Sequence, residues 1–588
     1  MSTSYHTLNK FSRIITNNAS NGAAKSMLYS LKMKPTDFNK GIVGIGTMFY
    51  ESNPCNNHLH KVAKIVKQNI NQQNNKLKAF IFNTIGVSDG MSMGTSGMNY
   101  SLPSREIIAD SIECFTNAHH YDGLICLPGC DKNLPGSLMG LIRINRPSFI
   151  IYGGSIRPGR FQNKDVDIVN AFQSYGELKA NQITSTEREN LLQVCCQGSG
   201  SCGGMYTANT MAVAIESMGM SLPYSSSNLA LSREKKKECQ QSYSTLLNLM
   251  EKDIKPLDII TRESLINAIK TIIVFGGSTN AILHLLAIAR TANIRLYLED
   301  FNNIGMEIPV IANMKPHGKY LMKDIFNIGG TPLVMKYMLE QNILNGECLT
   351  ITGKTLAENL EHVSTDCLNT NKVKAVFDPK NPIKNSSHLK VFYGNLAPRG
   401  AVGKITGKEG EYFKGEALVF ESEEDFIADF ENNHLFYDNI KKNNQKYVVV
   451  IRNQGPKGGP GMPEMLKPTS LIAGAQLQNH VAIITDGRFS GGSHGFIIGH
   501  ITPEAYNGGP ISIIRQGDMI EIDAKNSKIQ LCVNSSEMAI RTMGHKNKNI
   551  YEEEISINAF YQLLSENNSM LKKYRKNVLD ASHGCITI

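Results

Sequence analysis

From about Lys40 to Gly154, short apolar runs alternate with stretches whose apolar residues recur at helical spacing. The runs 42–45, 78–85, 124–127 and 148–152 are strand-sized, whereas Ile108, Ile112 and Phe115 share one helical face. That alternation predicts parallel strands joined by crossover helices, an α/β arrangement. Helical spacing continues through 203–219, 263–271 and 278–292 and extends the same unit. Near 368–388 the composition turns to Asn, Lys, Pro and Ser, as in Asp378-Pro379-Lys380-Asn381-Pro382, which has the character of a linker. Beyond it the runs 389–392, 417–420, 447–451, 481–484, 511–514 and 529–533 are short, strand-like and separated by Gly-rich turns. The pattern predicts a large N-terminal parallel-sheet α/β domain over 1–370 and a smaller β-rich, barrel-like C-terminal domain over 386–588.

Composition narrows the setting. The chain has 588 residues, 41% hydrophobic and 19% charged, which is the balance of a packed globular protein with more than one core. Its longest apolar runs fall far short of the roughly 20 residues a membrane helix needs, so no membrane partner is expected. The formal charge of +9 comes from scattered Lys with small clusters such as Lys235-Lys236-Lys237 and Lys572-Lys573. Solvated helix faces explain such clusters more often than nucleic acid does, and no nucleic-acid partner is expected. Twelve cysteines without a signal-peptide pattern point to reduced thiols and a cytoplasmic protein. Cys239, Cys348, Cys367, Cys532 and Cys585 have no flanking signal and are expected to be structural. Residues 1–36 lack any acid, but Arg13 is their only arginine, which argues against a transit peptide.

In an open α/β sheet, ligands collect at the carboxyl ends of the strands. The loops after the first three predicted strands carry Asn53-Pro54-Cys55-Asn56, Val87-Ser88-Asp89-Gly90 and Pro128-Gly129-Cys130-Asp131-Lys132. One rim thus gathers thiols, carboxylates and an amine. A fourth loop, Gly198-Ser199-Gly200-Ser201-Cys202-Gly203-Gly204, adds another thiol. Its glycines match the dinucleotide pattern G-x-G-x-x-G, but no acid follows at about 20 residues, and a tight turn around a buried Cys is the plainer reading. Three thiolates on separate loops, if they meet, would leave an iron position open to substrate, whereas electron carriers use four. Cys126, Cys130, Cys195 and Cys196 form a rival set suggesting zinc or redox pairing, and spacing alone leaves the choice open. In the second half, one Gly-rich loop presents Glu464 and another presents Arg488, Ser490 and His494. No Walker pattern accompanies them, and a lone Glu or Ser in a turn is more often structural.

Taken together, these residues resemble the dihydroxy-acid and phosphogluconate dehydratase family. The resemblance runs from about Leu8 to Ala581-Ser582-His583-Gly584. It is carried by Asn83-Thr84-Ile85-Gly86-Val87-Ser88-Asp89-Gly90, Cys130-Asp131-Lys132-Asn133, Ser201-Cys202-Gly203-Gly204-Met205-Tyr206-Thr207-Ala208-Asn209-Thr210-Met211, Gly276-Gly277-Ser278-Thr279-Asn280-Ala281, Gly461-Met462-Pro463-Glu464-Met465 and Asp486-Gly487-Arg488-Phe489-Ser490-Gly491-Gly492. It implies a [2Fe-2S] cluster on Cys55, Cys130 and Cys202. It also implies Mg²⁺ on Asp89, Asp131, Glu464 and Lys132 as its carbamate, with Ser490 as catalytic base. Hard oxygen ligands suit Mg²⁺, and an anionic lysine adduct removes the repulsion an ammonium would feel beside a cation. Because Cys130 and Asp131 are adjacent, cluster and ion would be neighbours, in a site between the two domains.

The implied reaction is dehydration of 2,3-dihydroxy-3-methylbutanoate and 2,3-dihydroxy-3-methylpentanoate to 2-oxo acids in valine and isoleucine biosynthesis. The alternative is a sugar-acid dehydratase of the phosphogluconate type. The family also implies a homodimer. The chain departs from the family at Asn453-Gln454, where Tyr-Glu is usual, and at Arg399, where Gly or an acid is expected.

Overall fold

The computed structural model describes residues 8–73, 76–179, 182–405, 410–433, 437, 440–493, 495–543 and 569–588. His494, which the sequence placed beside Ser490, lies outside them.

The first half is built on a parallel sheet of β1 (Gly41–Thr47), β2 (Leu77–Asn83), β3 (Gly123–Leu127) and β4 (Ser148–Ile150), in the order β2-β1-β3-β4. β1 and β3 are buried along their whole length, as central strands covered on both faces must be. They pair in register from Val43 opposite Gly123 to Thr47 opposite Leu127, so their carboxyl ends finish level. Crossover helices Leu59–Gln73 and Ser101–Ala118 return the chain between strands, and Asn133–Ile144 leads from β3 to β4. The expected helices at 203–219, 263–271 and 278–292 form as Thr207–Ser217, Arg262–Phe275 and Asn280–Thr291. A small antiparallel hairpin, β5 (Gly159–Phe161) and β6 (Lys164–Val166), follows β4.

The second half contains β7 (Leu389–Phe392), β8 (Ala401–Lys404), β9 (Tyr412–Phe420), β10 (Tyr447–Ile451), β11 (Glu464–Met465), β12 (Val481–Thr485), β13 (Arg488–Phe489), β14 (Ile497–Gly499), β15 (Met519–Asp523) and β16 (Lys528–Leu531). Eight of them form one mixed sheet, ordered β16-β15-β9-β10-β12-β14-β8-β7. Its edges meet: the Tyr393 amide donates to the Ser527 carbonyl at 2.9 Å, and the Ile529 amide to the Tyr393 carbonyl at 2.9 Å. The sheet is therefore a nearly closed barrel, which satisfies edge groups that would otherwise be open. Val448 and Val450 point into its interior with Phe392, Phe413, Phe496 and Ile484. Val449 and Ile451 point out under a covering layer with Phe426, Phe430 and Leu471, which is why the run Tyr447-Val448-Val449-Val450-Ile451 is apolar throughout.

Two expectations fail locally. Residues 511–514 are not a strand: Pro510–Ile513 is a short 3-10 helix whose leading proline lacks the N–H a ladder requires. The polar stretch predicted as linker is not a free tether, because the Val310 amide donates to the Lys384 carbonyl at 2.9 Å and the Asn313 amide to the Val376 carbonyl at 2.8 Å. The two sheets also share packing, since Leu389, Val391 and Val402 join the large core of the first half. Of the cysteines expected to be structural, Cys239, Cys348 and Cys585 are buried, Cys367 is half-buried and Cys532 is exposed.

Candidate active site

The carboxyl ends of β1, β2 and β3 open onto a cavity of about 270 Å³. Cys55, Asp89, Cys130 and Asp131 reach it from those loops, Cys202 from the fourth, and Glu464 and Ser490 from the second half. The fourth loop is strapped down: the Gly200 amide donates to the Pro54 carbonyl at 2.9 Å and the Ser201 amide to the Gly154 carbonyl at 2.9 Å. Gly200 has φ +128°, and a Cβ there would come 2.5 Å from the Ile156 amide nitrogen, so only glycine lets the loop lie this close.

These straps bring three thiols together. Cys55 lies within hydrogen-bonding reach of Cys130 and Cys202, and those contacts, followed by burial, push its thiol well above its ordinary value. Without a cation Cys55 is held as its thiol; a bound metal would offset the charge that burial and crowding disfavour there. The rival set does not assemble. Cys126 faces the core of the first sheet, Cys195 packs with Val166 and Leu191, and only Cys130 and Cys196 of that set line the cavity. The dinucleotide reading also fails, because Gly198 follows the helix Ser185–Cys195 rather than a strand.

The carboxylates converge beside the thiols. Asp89, Asp131 and Glu464 each offer an oxygen, and these lie within 4.8 Å of one another. Burial, then the charge of Asp89, raises the Asp131 carboxyl to about 7. Lys132 is fully buried just behind, ion-paired with Asp89, with its Nζ 2.6 Å from Glu464 Oε1 and 3.9 Å from Asp131. Burial alone would lower its pKa, but Asp89 and Glu464 outweigh it and hold the amine charged. Ser101 Oγ donates to Asp89 Oδ1 at 2.7 Å and fixes that carboxylate. Such a crowd of acidic oxygens fits a divalent cation with hard-ligand preference.

Glu464 and Ser490 arrive together because β11 and β13 form a two-strand parallel ribbon that sets Glu464 opposite Arg488. The Ser490 amide continues it by donating to the Met465 carbonyl at 3.0 Å, and Ser490 Oγ accepts from the Gly492 amide at 3.4 Å. The next residue presses on the helix Thr207–Ser217: a Cβ on Gly491 would come 2.9 Å from the Thr207 amide nitrogen. Gly491, the residue after the serine, is thereby packed against the N-terminal end of that helix.

Sequence reasoning overlooked several residues. Ile156, Ile168, Val169, Phe172, Met93 and Leu466 give the cavity apolar lining beside the acids. Asp167 closes one corner, accepting from Tyr206 Oη at 2.9 Å. Arg488 had been noted only as a loop cation, although its place two residues before Ser490 was the available signal. Neither Asn453-Gln454 nor Arg399 lines the cavity. Asn453 Nδ2 donates to Glu421 at 2.8 Å, and Arg399 is an exposed partner of Asp580 at 3.1 Å.

Acids, thiols and a serine thus converge between a parallel sheet and a barrel in a mixed α/β protein, around a cluster of carboxylates that could hold a metal ion. The dihydroxy-acid/6-phosphogluconate dehydratase N-terminal family matches residues 40–359, and the corresponding C-terminal family matches 374–585. The chain is 53% identical over 580 residues to a dihydroxy-acid dehydratase of Francisella tularensis, covering 99% of each. It is 49% identical over 583 residues to that of Flavobacterium psychrophilum, covering 99% of this chain and 100% of the relative. It is also 49% identical over 580 residues to the chloroplastic dihydroxy-acid dehydratase of Arabidopsis thaliana, covering 99% of this chain and 91% of the relative. The chain belongs to the dihydroxy-acid/6-phosphogluconate dehydratase family.

Proposed function

We propose that the protein dehydrates 2,3-dihydroxy-3-methylbutanoate and its methylpentanoate homologue to the 2-oxo acids, as a hydro-lyase of valine and isoleucine biosynthesis. The observation that carries this reading is the cavity's mixed lining: acids, thiols and Ser490 together with the apolar side chains of Ile156, Ile168, Val169 and Phe172. A small branched acid has the same mixture of a polar head and an alkyl end. A sugar acid or phosphate would instead need polar or cationic groups in place of those apolar side chains, so the phosphogluconate-type alternative is not favoured.

In this reading Asp89, Asp131, Glu464 and Lys132 as its carbamate would hold Mg²⁺, and Cys55, Cys130 and Cys202 would hold a [2Fe-2S] cluster. When bound, the two would supply Lewis acidity to the dehydration. Ser490 Oγ takes the C2 proton. A serine hydroxyl is normally too weakly acidic for that work, and here the Gly492 amide, which donates to its Oγ, favours the alkoxide. Departure of the 3-hydroxyl leaves an enol, which tautomerises to the 2-oxo acid. The apolar lining seats the alkyl end and excludes water. Among the described residues no helix is long and apolar enough to cross a membrane. Action as a cytoplasmic homodimer belongs to the same proposal, and sedimentation of the holoenzyme tests the dimer.

The deciding experiment is anaerobic turnover of 2,3-dihydroxy-3-methylbutanoate with added Mg²⁺, set beside 6-phosphogluconate, for wild type and Ser490→Ala at matched iron content. The expected result is turnover of the branched acid alone, reduced at least about 100-fold in the variant. Preference for the phosphorylated acid would sink the substrate assignment, and an active Ser490→Ala would sink the base.

A further inference from the structure

The guanidinium of Arg488 is wholly buried. Its Nε donates to the Met462 carbonyl at 2.8 Å, and its Nη1 donates to Glu464 Oε1 at 2.6 Å and reaches Asn280 Oδ1 at 3.4 Å. Nη2 has no hydrogen-bond partner among the described residues. An orphaned guanidinium nitrogen in the interior is costly, and burial of Arg488 is offset mainly through the contacts of Nε and Nη1. Asn280 is itself fixed, its Nδ2 donating to Thr207 Oγ1 at 3.1 Å, so the guanidinium is propped from the first half of the chain.

Glu464 Oε1 also accepts from Lys132 at 2.6 Å, so two cations hold one oxygen. The proposed function changes that balance. The Lys132 ammonium first loses one proton, carbon dioxide then adds to the free amine with formation of an N–C bond, and the second N–H proton is displaced; both protons leave to solvent. Asp89, Asp131, Glu464 and the carbamate then each carry one negative charge, of which a magnesium ion offsets half. Arg488 alone remains as a permanent cation in contact with Glu464, since a guanidinium does not deprotonate in a protein.

We propose that Arg488 is a positioning residue for the divalent ion. It anchors Glu464 through Oε1, leaves the other carboxylate oxygen for the metal, and keeps the acid cluster assembled once Lys132 has lost its charge. This inference rests on the metal site proposed above. A lysine at 488 would keep the charge but not the fork that spans Glu464 and the Met462 carbonyl.

The test is Mn²⁺ titration of the full-length chain, read from the electron paramagnetic resonance of the free ion, for wild type, Arg488→Gln and Arg488→Lys. Thermal melts run alongside. Arg488→Gln is expected to weaken Mn²⁺ binding about 10–100-fold and Arg488→Lys by less, as for other residues that orient a metal ligand. The Mg²⁺ dependence of kcat in Arg488→Lys should move to higher concentration, with KM for the dihydroxy acid unchanged at saturating Mg²⁺. Wild-type affinity in folded variants would overturn the assignment. If Arg488→Gln does not fold, Arg488→Lys decides: unchanged affinity overturns it, and a loss of a few-fold or more supports it. A wild-type chain that binds no Mn²⁺ would instead remove the metal site, and with it the role.

Discussion

Two lysines are almost wholly enclosed in the first half of the chain, Lys132 at 0% and Lys235 at 1% exposure, and each faces carboxylates. Around Lys235 every acidic oxygen is spoken for. Lys235 Nζ is 2.8 Å from Glu238 Oε2 and donates to the Ser225 carbonyl at 2.9 Å, Ser225 Oγ donates to Glu238 Oε1 at 2.5 Å, and Asn228 Nδ2 donates to Glu238 Oε2 at 3.0 Å. Nearby, Glu216 accepts from the Tyr224 amide at 2.8 Å and from the Ser226 amide and hydroxyl at 2.8 and 2.6 Å. Around Lys132 the pattern breaks: among the described residues Asp131 accepts no hydrogen bond, and its ion pair with Lys132 is long, at 3.9 Å. One network is closed and braces the interior. The other is left short of positive charge beside a cavity, the condition of a cation site.

The largest effect should come from breaking the open network. Asp131→Asn is expected to lower turnover at least about 1000-fold, because a Lewis-acid ion contributes several kcal/mol to charge stabilisation. The melting temperature of the metal-free chain should stay level or rise, since a repelled buried carboxylate is gone; a lower one would place Asp131 in the closed class. Lys235→Met should do the reverse. Leaving Glu238 buried without its cation costs about 3–5 kcal/mol, seen in denaturant titration, while turnover per folded molecule holds.

A smaller effect concerns pH. Burial raises Glu216 from 4.5 to about 7 in the folded protein. The folded state then binds the extra proton, so this group's contribution to stability is full below about pH 4.5 and is lost as pH rises towards about 7. The slope should approach about 1.4 kcal/mol per pH unit, and Glu216→Gln should flatten it in melts taken across that range. The least change is expected from Cys196→Ser. Cys196 lines the cavity beside Cys202, yet iron per chain should match wild type, whereas Cys202→Ser should lose it. Iron loss in both would add a fourth thiolate to the set.

Much of this site could be read along the chain because parallel sheets place function at predictable points. Cys55, Asp89 and the Cys130-Asp131-Lys132 run follow strands whose apolar character was plain, and the loops meet since β1 to β3 end level. The barrel's β15 was missed despite the alternating burial of Met519–Asp523, because Glu521 and Asp523 interrupt the apolar signal. β8 was missed since Gly403 weakens a short run. The apolar lining at Ile156, Ile168, Val169 and Phe172 could not be read at all. Ile156 lies in the loop after β4 and the other three on the helix Ile168–Lys179, and only tertiary packing turns them to the cavity rather than to a core.

The order of the site's parts along the chain also sets an order in time. All three thiols have been translated once Cys202 has, but Glu464 is made about 260 residues later, roughly 13 to 52 s at about 5–20 residues per second. The nascent protein therefore carries its three cavity thiols well before Glu464 and Ser490 exist, so under the proposed assignment the cluster ligands are complete before the magnesium ligands.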